Sequence, residues 1–329
     1  MRVAVFSSRP YDKSFLQQAN TYSEITLQFI DGKLELNTVP LCRDYRAISV
    51  FVNDNLDREV LLGIQKQGVQ HIALRCAGFN NLDLNSAREL GLTVSRVPDY
   101  SPYAVAEHTV ALILTLNRKL HKSYNRVKEG NFSIDGLLGF DLRGKTVGIV
   151  GTGKIGLATA AIISGFGCKL LCYDKFPKDK LALPNAQYCA LTELFQQSDI
   201  ISLHCPLNED TYHLINAHAL DQMKDGVMLI NTSRGGLIDT AAVVRGLKSK
   251  RIGYLGLDVY EMESELFFED KSLEIIQDDL FQRLSTFPNV IITGHQGFFT
   301  QEALQKIAAT TLHNLELFRT GKTDPVTFL

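Results

Sequence analysis

The sequence predicts an α/β protein made of two doubly wound parallel-sheet domains, and three observations carry that prediction. Apolar, β-rich runs of about six residues alternate with helical patterns of three-to-four period, as in a parallel sheet covered by helices. At 329 residues the chain is long for one core, so two domains are its natural division. Around residue 150 an apolar run breaks into closely spaced glycines and reopens as a helical pattern, the start of a second such unit.

Taken in order, strands are expected at residues 3–6, 25–30, 47–52 and 72–74, with helices near 14–21, 57–67 and 85–90, so a first small α/β domain ends near Tyr100. Ser101-Pro102 then reads as an N-cap followed by proline at the first helical position. It opens the run Val105-Ala-Glu-His-Thr-Val-Ala-Leu-Ile-Leu-Thr-Leu116, apolar on most faces. Such a helix must be buried nearly all round, at a domain junction or a subunit interface. A polar stretch, 119–144, follows. Beyond it, strands are expected at 146–150, 169–173, 200–204, 227–231, 254–258 and 290–293, and a last helix at 302–318. Periodicity alone does not say which domain that helix joins.

The stretch Thr146-Val-Gly-Ile-Val-Gly151-Thr-Gly153-Lys-Ile-Gly156 is a strand, a tight turn and a helix N-terminus in the order that binds a dinucleotide pyrophosphate. Gly151 makes the turn, Gly153 lets the backbone approach the phosphates, and Gly156 lets the helix pack close to the strand. About twenty residues on, the run Lys169-Leu-Leu-Cys-Tyr173 ends in Asp174, placed to accept both hydroxyls of an adenosine ribose. The pattern indicates an NAD-type site.

Composition narrows the partner. Lys plus Arg number 34 against 36 Asp plus Glu, a formal charge of −2, so no field attracts nucleic acid or an acidic membrane. A small-molecule substrate is expected. The N-terminal run lacks a signal-peptide h-region and no apolar segment approaches bilayer length, so the expected location is cytoplasmic. The 6 cysteines include no CxxC pair, and several sit in apolar runs where a thiol acts as a small hydrophobe. His204, Cys205, His213 and His218 match no zinc spacing, so no metal is expected.

Ligands of doubly wound sheets bind beyond the carboxyl ends of the strands. There the sequence delivers Arg234 after Asn231-Thr-Ser, Glu261-Met-Glu263 after Asp258-Val-Tyr, and His295 after Thr293-Gly. Hydride transfer to a ketone needs a proton donor, which histidine supplies near neutral pH. A carboxylate behind the imidazole orients it and favours its protonated form. An arginine grips a substrate carboxylate through two parallel hydrogen bonds. The set fits reduction of a 2-oxo acid. Position alone leaves plainer readings open: a structural hydrogen bond for His295, a fold ion pair or cofactor phosphate for Arg234, and a solvated acidic face for Glu261, Glu263, Glu265 and Glu269.

The chain resembles the D-specific 2-hydroxyacid dehydrogenases. The likeness runs through Arg75-Cys-Ala-Gly-Phe-Asn-Asn81, Arg96-Val-Pro-Asp-Tyr-Ser101, Ala106-Glu-His108, the Gly151 to Gly156 turn, His204-Cys-Pro206, Asn231-Thr-Ser-Arg-Gly235, Asp258-Val-Tyr-Glu261 and Gly294-His-Gln296. Asp258-Val-Tyr-Glu-Met-Glu263 with Leu266-Phe-Phe-Glu-Asp-Lys271 looks like the fermentative D-lactate branch. The resemblance implies that Arg234 clamps the substrate carboxylate, that His295 is the acid/base and that Glu263 is its partner. It implies backbone N–H groups of Ala77 and Gly78 on the carboxylate, and Tyr100, Phe298 and Phe299 lining the pocket. It implies NAD contacts from Lys154, Ile155, Asp174, Cys205, Pro206, Thr211, Thr232 and Asp258, besides the three glycines. The implied architecture is a Rossmann-type NAD domain, 101–299, inserted into a flavodoxin-like substrate domain, 1–100 with 300–329. The helix around 105–116 would form the contact of a homodimer or higher homo-oligomer. Two other readings remain: the same chemistry on a different acid, such as hydroxyisocaproate or glycerate, and a non-catalytic NAD sensor like the dehydrogenase-related corepressors.

Overall fold

The short apolar runs of the first hundred residues become parallel strands because their side chains are buried on both faces. The computed structural model describes residues 1–178 and 180–329, the Glu265 side chain excepted. Its early elements are β1 (Arg2–Val5), α1 (Pro10–Ala19), β2 (Thr26–Phe29), β3 (Ala47–Val50), α2 (Arg58–Lys66), β4 (His71–Leu74), α3 (Leu84–Glu89) and β5 (Thr93–Ser95). Strands β3 and β4 are buried at every residue, as continuous apolar runs in parallel sheets are, while edge strand β2 is not. Helix α2 starts where Asp57 caps the Val60 N–H at 2.9 Å, and it turns Val60, Leu61 and Ile64 inward. The three-residue β5 is too short to show a period, and sequence reasoning missed it.

The later elements are α4 (Pro102–Arg118), α5 (Leu120–Lys128), β6 (Thr146–Val150), α6 (Lys154–Ser164), β7 (Lys169–Tyr173), β8 (Ala186–Tyr188), α7 (Leu191–Gln197), β9 (Ile200–Leu203), α8 (Ala217–Gln222), β10 (Val227–Asn231), α9 (Thr240–Lys248), β11 (Ile252–Leu257), α10 (Asp279–Ser285), β12 (Val290–Ile292) and α11 (Gln301–Arg319). Neither β8 nor α5 is evident in the sequence: β8 is three residues long, and α5 lies in the stretch that reads as polar. The chain divides into two units, Met1–Ser101 with Phe299–Leu329, and Pro102–Phe298.

In the first unit the sheet order is β2-β1-β3-β4-β5, every pair parallel, which is the flavodoxin-like winding. Helix α11 belongs here. Its Ala308, Leu312 and Leu315 join Val3, Val5, Leu16, Ala47 and Ala73 in one buried cluster, which answers the question periodicity left open. The second unit holds a seven-stranded parallel sheet, β12-β11-β10-β9-β6-β7-β8. Counted from β6, this is the Rossmann order with one further strand, and the winding reverses between β6 and β9.

Helix α4 differs from expectation. Val105, Ala106, Thr109, Val110, Leu112, Ile113 and Leu116 are buried, but Tyr103, Glu107, Ala111 and Arg118 form an exposed stripe at helical spacing. The helix is thus buried on most of its circumference and open along one line. An alanine or a short polar residue on that line leaves the run looking apolar throughout.

Candidate functional site

The β6–α6 turn lies at the reversal point of the second sheet. Gly151 has φ +97°, and its N–H donates to the Tyr173 carbonyl at 2.8 Å. A Cβ on Gly156 would stand 2.0 Å from the Gly151 carbonyl oxygen, so helix α6 can approach the strand only with glycine there. Gly153, the N-cap of α6, is different: a Cβ there would meet no protein atom within 4 Å. No protein neighbour requires glycine at 153. A dinucleotide pyrophosphate against the first turn of α6, whose N–H groups a helix cannot satisfy internally, does. The residues therefore fit an NAD-type cofactor.

Asp174 follows β7. One carboxylate oxygen accepts from the Thr152 N–H at 2.6 Å and the Thr152 hydroxyl at 3.0 Å, the other from the Phe176 N–H at 2.9 Å. Desolvation pushes its pKa up, but these bonds outweigh it and hold the group below the usual carboxylate range. It is a carboxylate tied to the glycine turn. The adjacent Lys175 is not free to neutralise it, since its ammonium lies 2.5 Å from Asp210.

The other expected cofactor contacts gather at the same sheet edge. Cys205 and Pro206 follow β9, and the Cys205 carbonyl accepts from the Ser233 hydroxyl at 2.7 Å. The Thr211 hydroxyl donates to the Pro206 carbonyl at 2.7 Å, bracing its own loop. Thr232 turns inward, its hydroxyl 2.8 Å from that of Thr109 on α4. Lys154 and Ile155 open α6. Burial drives the His204 pKa down to about 4, and its ring pairs with Ser202 at 2.9 Å. Among the described residues no group of three or more His, Cys, Asp or Glu side chains could hold a metal.

Past β10, the Asn231 side chain brackets the turn, accepting from the Ser233 N–H at 3.0 Å and donating to the Arg234 carbonyl at 2.8 Å. Arg234 gives one hydrogen bond, to the Ser233 carbonyl at 2.6 Å. Its other guanidinium donors have no partner among the described residues, which leaves the fork available to a carboxylate. A Cβ on Gly235 would stand 2.1 Å from the Tyr260 carbonyl carbon, so this turn presses against the segment that carries Glu263.

Glu263 lies 2.9 Å from His295 Nδ1, and its second oxygen accepts from the Tyr260 N–H at 3.0 Å. With Nδ1 engaged, His295 keeps Nε2 without a hydrogen-bond partner among the described residues, on a side chain 15% exposed. The neighbouring Glu261 belongs to a different pair, 2.6 Å from His213 Nε2 and bonded to the Thr240 hydroxyl at 2.8 Å. The geometry separates the glutamates that position left ambiguous; the Glu265 side chain lies outside the described residues.

His295 has φ +52°, a left-handed conformation that costs a non-glycine residue about 1–2 kcal/mol. The Asp258 carboxylate offsets this. It accepts from the Gln296 N–H at 2.9 Å, the Gly297 N–H at 2.8 Å and the Thr293 hydroxyl at 2.5 Å, with His108 Nε2 at 3.2 Å. The Asp258 carbonyl accepts from the His295 N–H at 2.7 Å. Hydrogen bonds to a charged group contribute about 1.5–3 kcal/mol each, so two of them exceed the backbone cost. Besides its expected cofactor role, Asp258 is thus the anchor of the turn that carries His295. Sequence reasoning missed His108 and Thr293 in this role; the Ala106-Glu-His108 motif marked the position but not its partner 150 residues away. It also missed Phe268, whose ring centroid lies 5.6 Å from that of His295.

The two phenylalanines expected to line the pocket together behave differently. Phe298 is buried, edge-on to His295 at 6.4 Å, whereas Phe299 belongs to the first unit and packs edge-on against Tyr11 at 4.8 Å. Ala77 and Gly78 form the turn after β4 and are partly exposed, as is Tyr100.

Residues 110–297 match the family described as D-isomer specific 2-hydroxyacid dehydrogenase, NAD binding domain. The chain is 51% identical to D-lactate dehydrogenase of Escherichia coli over 99% of both chains. The solved apo-structure of D-lactate dehydrogenase from that organism superimposes with a TM-score of 0.90 at 49% identity, covering 99% of each chain. D-Lactate dehydrogenase of Aquifex aeolicus, solved in complex with NAD and lactic acid, gives a TM-score of 0.85 at 37% identity, covering 97% of this chain and 96% of that one.

The arrangement around Asp174 generates a prediction. NADH should be used at least about tenfold more efficiently than NADPH, because the extra phosphate meets a fixed carboxylate. Asp210→Asn should narrow the gap by releasing Lys175. Steady-state kcat/KM values with both cofactors check this, and equal efficiencies in the unaltered protein would contradict the role given to Asp174.

Proposed function

The chain belongs to the D-isomer specific 2-hydroxyacid dehydrogenase family, and from that premise we propose that it is a D-lactate dehydrogenase, reducing pyruvate reversibly with NADH. The observation that carries this reading is His295, held through Nδ1 by Glu263 and left with Nε2 unpaired among the described residues. Such an imidazole donates its Nε2 proton to the developing alkoxide in reduction and takes one back in oxidation. Bound NADH supplies the hydride. Glu263, fixed by the Tyr260 N–H, orients the ring through Nδ1 and so directs Nε2 to the substrate oxygen.

Arg234, with its unused guanidinium donors, is the proposed clamp for the substrate carboxylate. The Ala77 and Gly78 N–H groups are retained as further carboxylate donors. Phe298 is proposed beside the substrate methyl, as are Tyr100 and Phe299. The turn glycines with Lys154, Ile155, Asp174, Cys205, Pro206, Thr211, Thr232 and Asp258 remain the proposed NAD contacts. No described helix is long and apolar enough to cross a membrane, and all six cysteines are free thiols, which supports the reducing cytoplasm as its location.

A homodimer is part of the same proposal. Helix α5 buries none of its residues, and Leu120, Tyr124, Phe132, Ile134 and Leu138, within one stretch of chain, are exposed by 55 to 86%. Large apolar side chains exposed together support a protein interface, and a second copy is the proposed cover.

Four measurements test this. Chiral analysis of the product should find D-lactate alone, because carboxylate, oxygen and hydride anchors leave one face of the oxo carbon open. Pyruvate should exceed oxobutyrate, oxoisocaproate and phenylpyruvate; a clear preference for oxoisocaproate would move the assignment to another member of the family, and no turnover would favour the sensor reading. Replacing His295 should cost about 10²–10⁴ in kcat, and Glu263→Gln should lower kcat by loosening the hold on the ring. An unchanged kcat in that variant would remove Glu263 from the mechanism. Finally, sedimentation should give a dimer, and serine at Phe132, Ile134 and Leu138 should shift it towards monomer.

A further inference from the structure

The turn after β4 has an unusual division of its backbone groups. Its carbonyls are drawn into the protein: Cys76 O accepts from the Val97 N–H at 3.1 Å, Ala77 O from Arg96 Nη1 at 3.0 Å, Gly78 O from the Cys76 thiol at 3.1 Å and Phe79 O from the Leu82 N–H at 3.1 Å. The N–H groups of Ala77, Gly78 and Phe79 have no partner among the described residues. With their carbonyls engaged, these residues leave three successive N–H groups to an outside acceptor, a run of backbone donors of the kind that binds an anion.

One charged side chain grips this turn twice. Arg96 donates to Ala77 O, and its guanidinium carbon lies 5.2 Å from the centroid of the Phe79 ring, within cation–π range. Arg96 is itself held at both backbone groups. Its N–H donates to the Thr327 carbonyl at 2.8 Å, and its carbonyl accepts from the buried Asn314 side chain at 3.0 Å. The Arg96 backbone is therefore anchored to α11 and to the C-terminal residues of the same unit. A lysine could supply the charge but not the planar fork that reaches a carbonyl while lying over a ring.

We propose that Arg96 is the positioning residue of the substrate-carboxylate loop, keeping the carbonyls of residues 77–79 inward so that the Ala77 and Gly78 N–H groups meet the carboxylate of the 2-oxo acid. This rests on the reading of Ala77 and Gly78 given above. Arg96 touches neither substrate nor cofactor in this role, so its loss weakens substrate binding and leaves the NADH site alone. A mutation with that effect raises KM for the substrate at nearly constant kcat.

The test compares Arg96→Met, Arg96→Lys and Gly78→Pro, the last deleting one of the N–H groups outright. Steady-state kinetics give KM for pyruvate and NADH; inhibition by oxamate, which keeps the carboxylate but is not reduced, reports binding alone. Arg96→Met should raise the pyruvate KM and the oxamate inhibition constant about tenfold, with the NADH KM and kcat changed less than about twofold. Arg96→Lys should fall between Arg96→Met and the unaltered protein, and it decides the question if Arg96→Met does not fold. A raised pyruvate KM in Gly78→Pro with unchanged values in both Arg96 variants would overturn the role of Arg96 while sparing the loop. Unchanged values in all three would overturn the loop reading as well. Equal losses for pyruvate and NADH would reduce Arg96 to a stabiliser of the fold.

Discussion

The turn that carries His295 depends on the Asp258 carboxylate. It stands one residue beyond β11 and gathers two backbone N–H groups, a hydroxyl from Thr293 and the imidazole of His108. A buried carboxylate without such partners would be too costly to keep charged. Desolvation does push its pKa up, but the bonds from His108 and Thr293 more than reverse the effect. Its folded pKa is thus depressed, so its stabilisation is present above the ordinary carboxylate range and fades as pH falls through the folded value. Near neutrality the anchor is intact, and it holds His295 in a backbone conformation the residue would otherwise avoid.

The first unit uses the same device without a catalytic group attached. Asp54, beyond the end of β3, is buried and accepts from the Ser7 hydroxyl at 2.7 Å and from the Leu34 and Phe51 N–H groups at 2.6 Å. Ser7 carries φ +48°. Here burial dominates and the pKa is raised, although the three bonds oppose it. In both units a carboxylate beyond a strand's carboxyl end ties together loops that follow different strands. Doubly wound folds place their ligand loops at those ends, where sheet hydrogen bonding has run out and backbone groups need partners.

Two histidine–carboxylate pairs flank the segment 260–263, and only one suits proton transfer. His213 is bonded to Glu261, which is in turn bonded to Thr240, and its ring stacks on Tyr212 at 3.9 Å; it braces the loop after β9. His295 has its Nδ1 engaged and its Nε2 available, enclosed by Phe268 and Phe298. Aromatic walls lower the local dielectric and strengthen the pairing with Glu263. The two pairs differ in which ring nitrogen meets the carboxylate and in what surrounds the ring.

By itself the sequence determined the features whose physical cause is local. Alternating apolar runs define parallel strands, the Gly151, Gly153 and Gly156 spacing defines a phosphate turn, and Asp174 at the end of β7 follows from chain length alone. Arg234 and His295 stand out at strand ends, and Glu263 is singled out from its acidic neighbours only by the family resemblance. Tertiary structure decided what depends on partners far apart in sequence. It decided that α11 completes the first sheet, because a three-to-four period fits any apolar surface. It decided that Glu263 rather than Glu261 faces His295, because the acidic run carries no period that separates them. It showed Asp258 joined to His108 across 150 positions, and Arg96 joined to Ala77, contacts made by side chains whose identities are ordinary and whose geometry exists only after the sheets have formed.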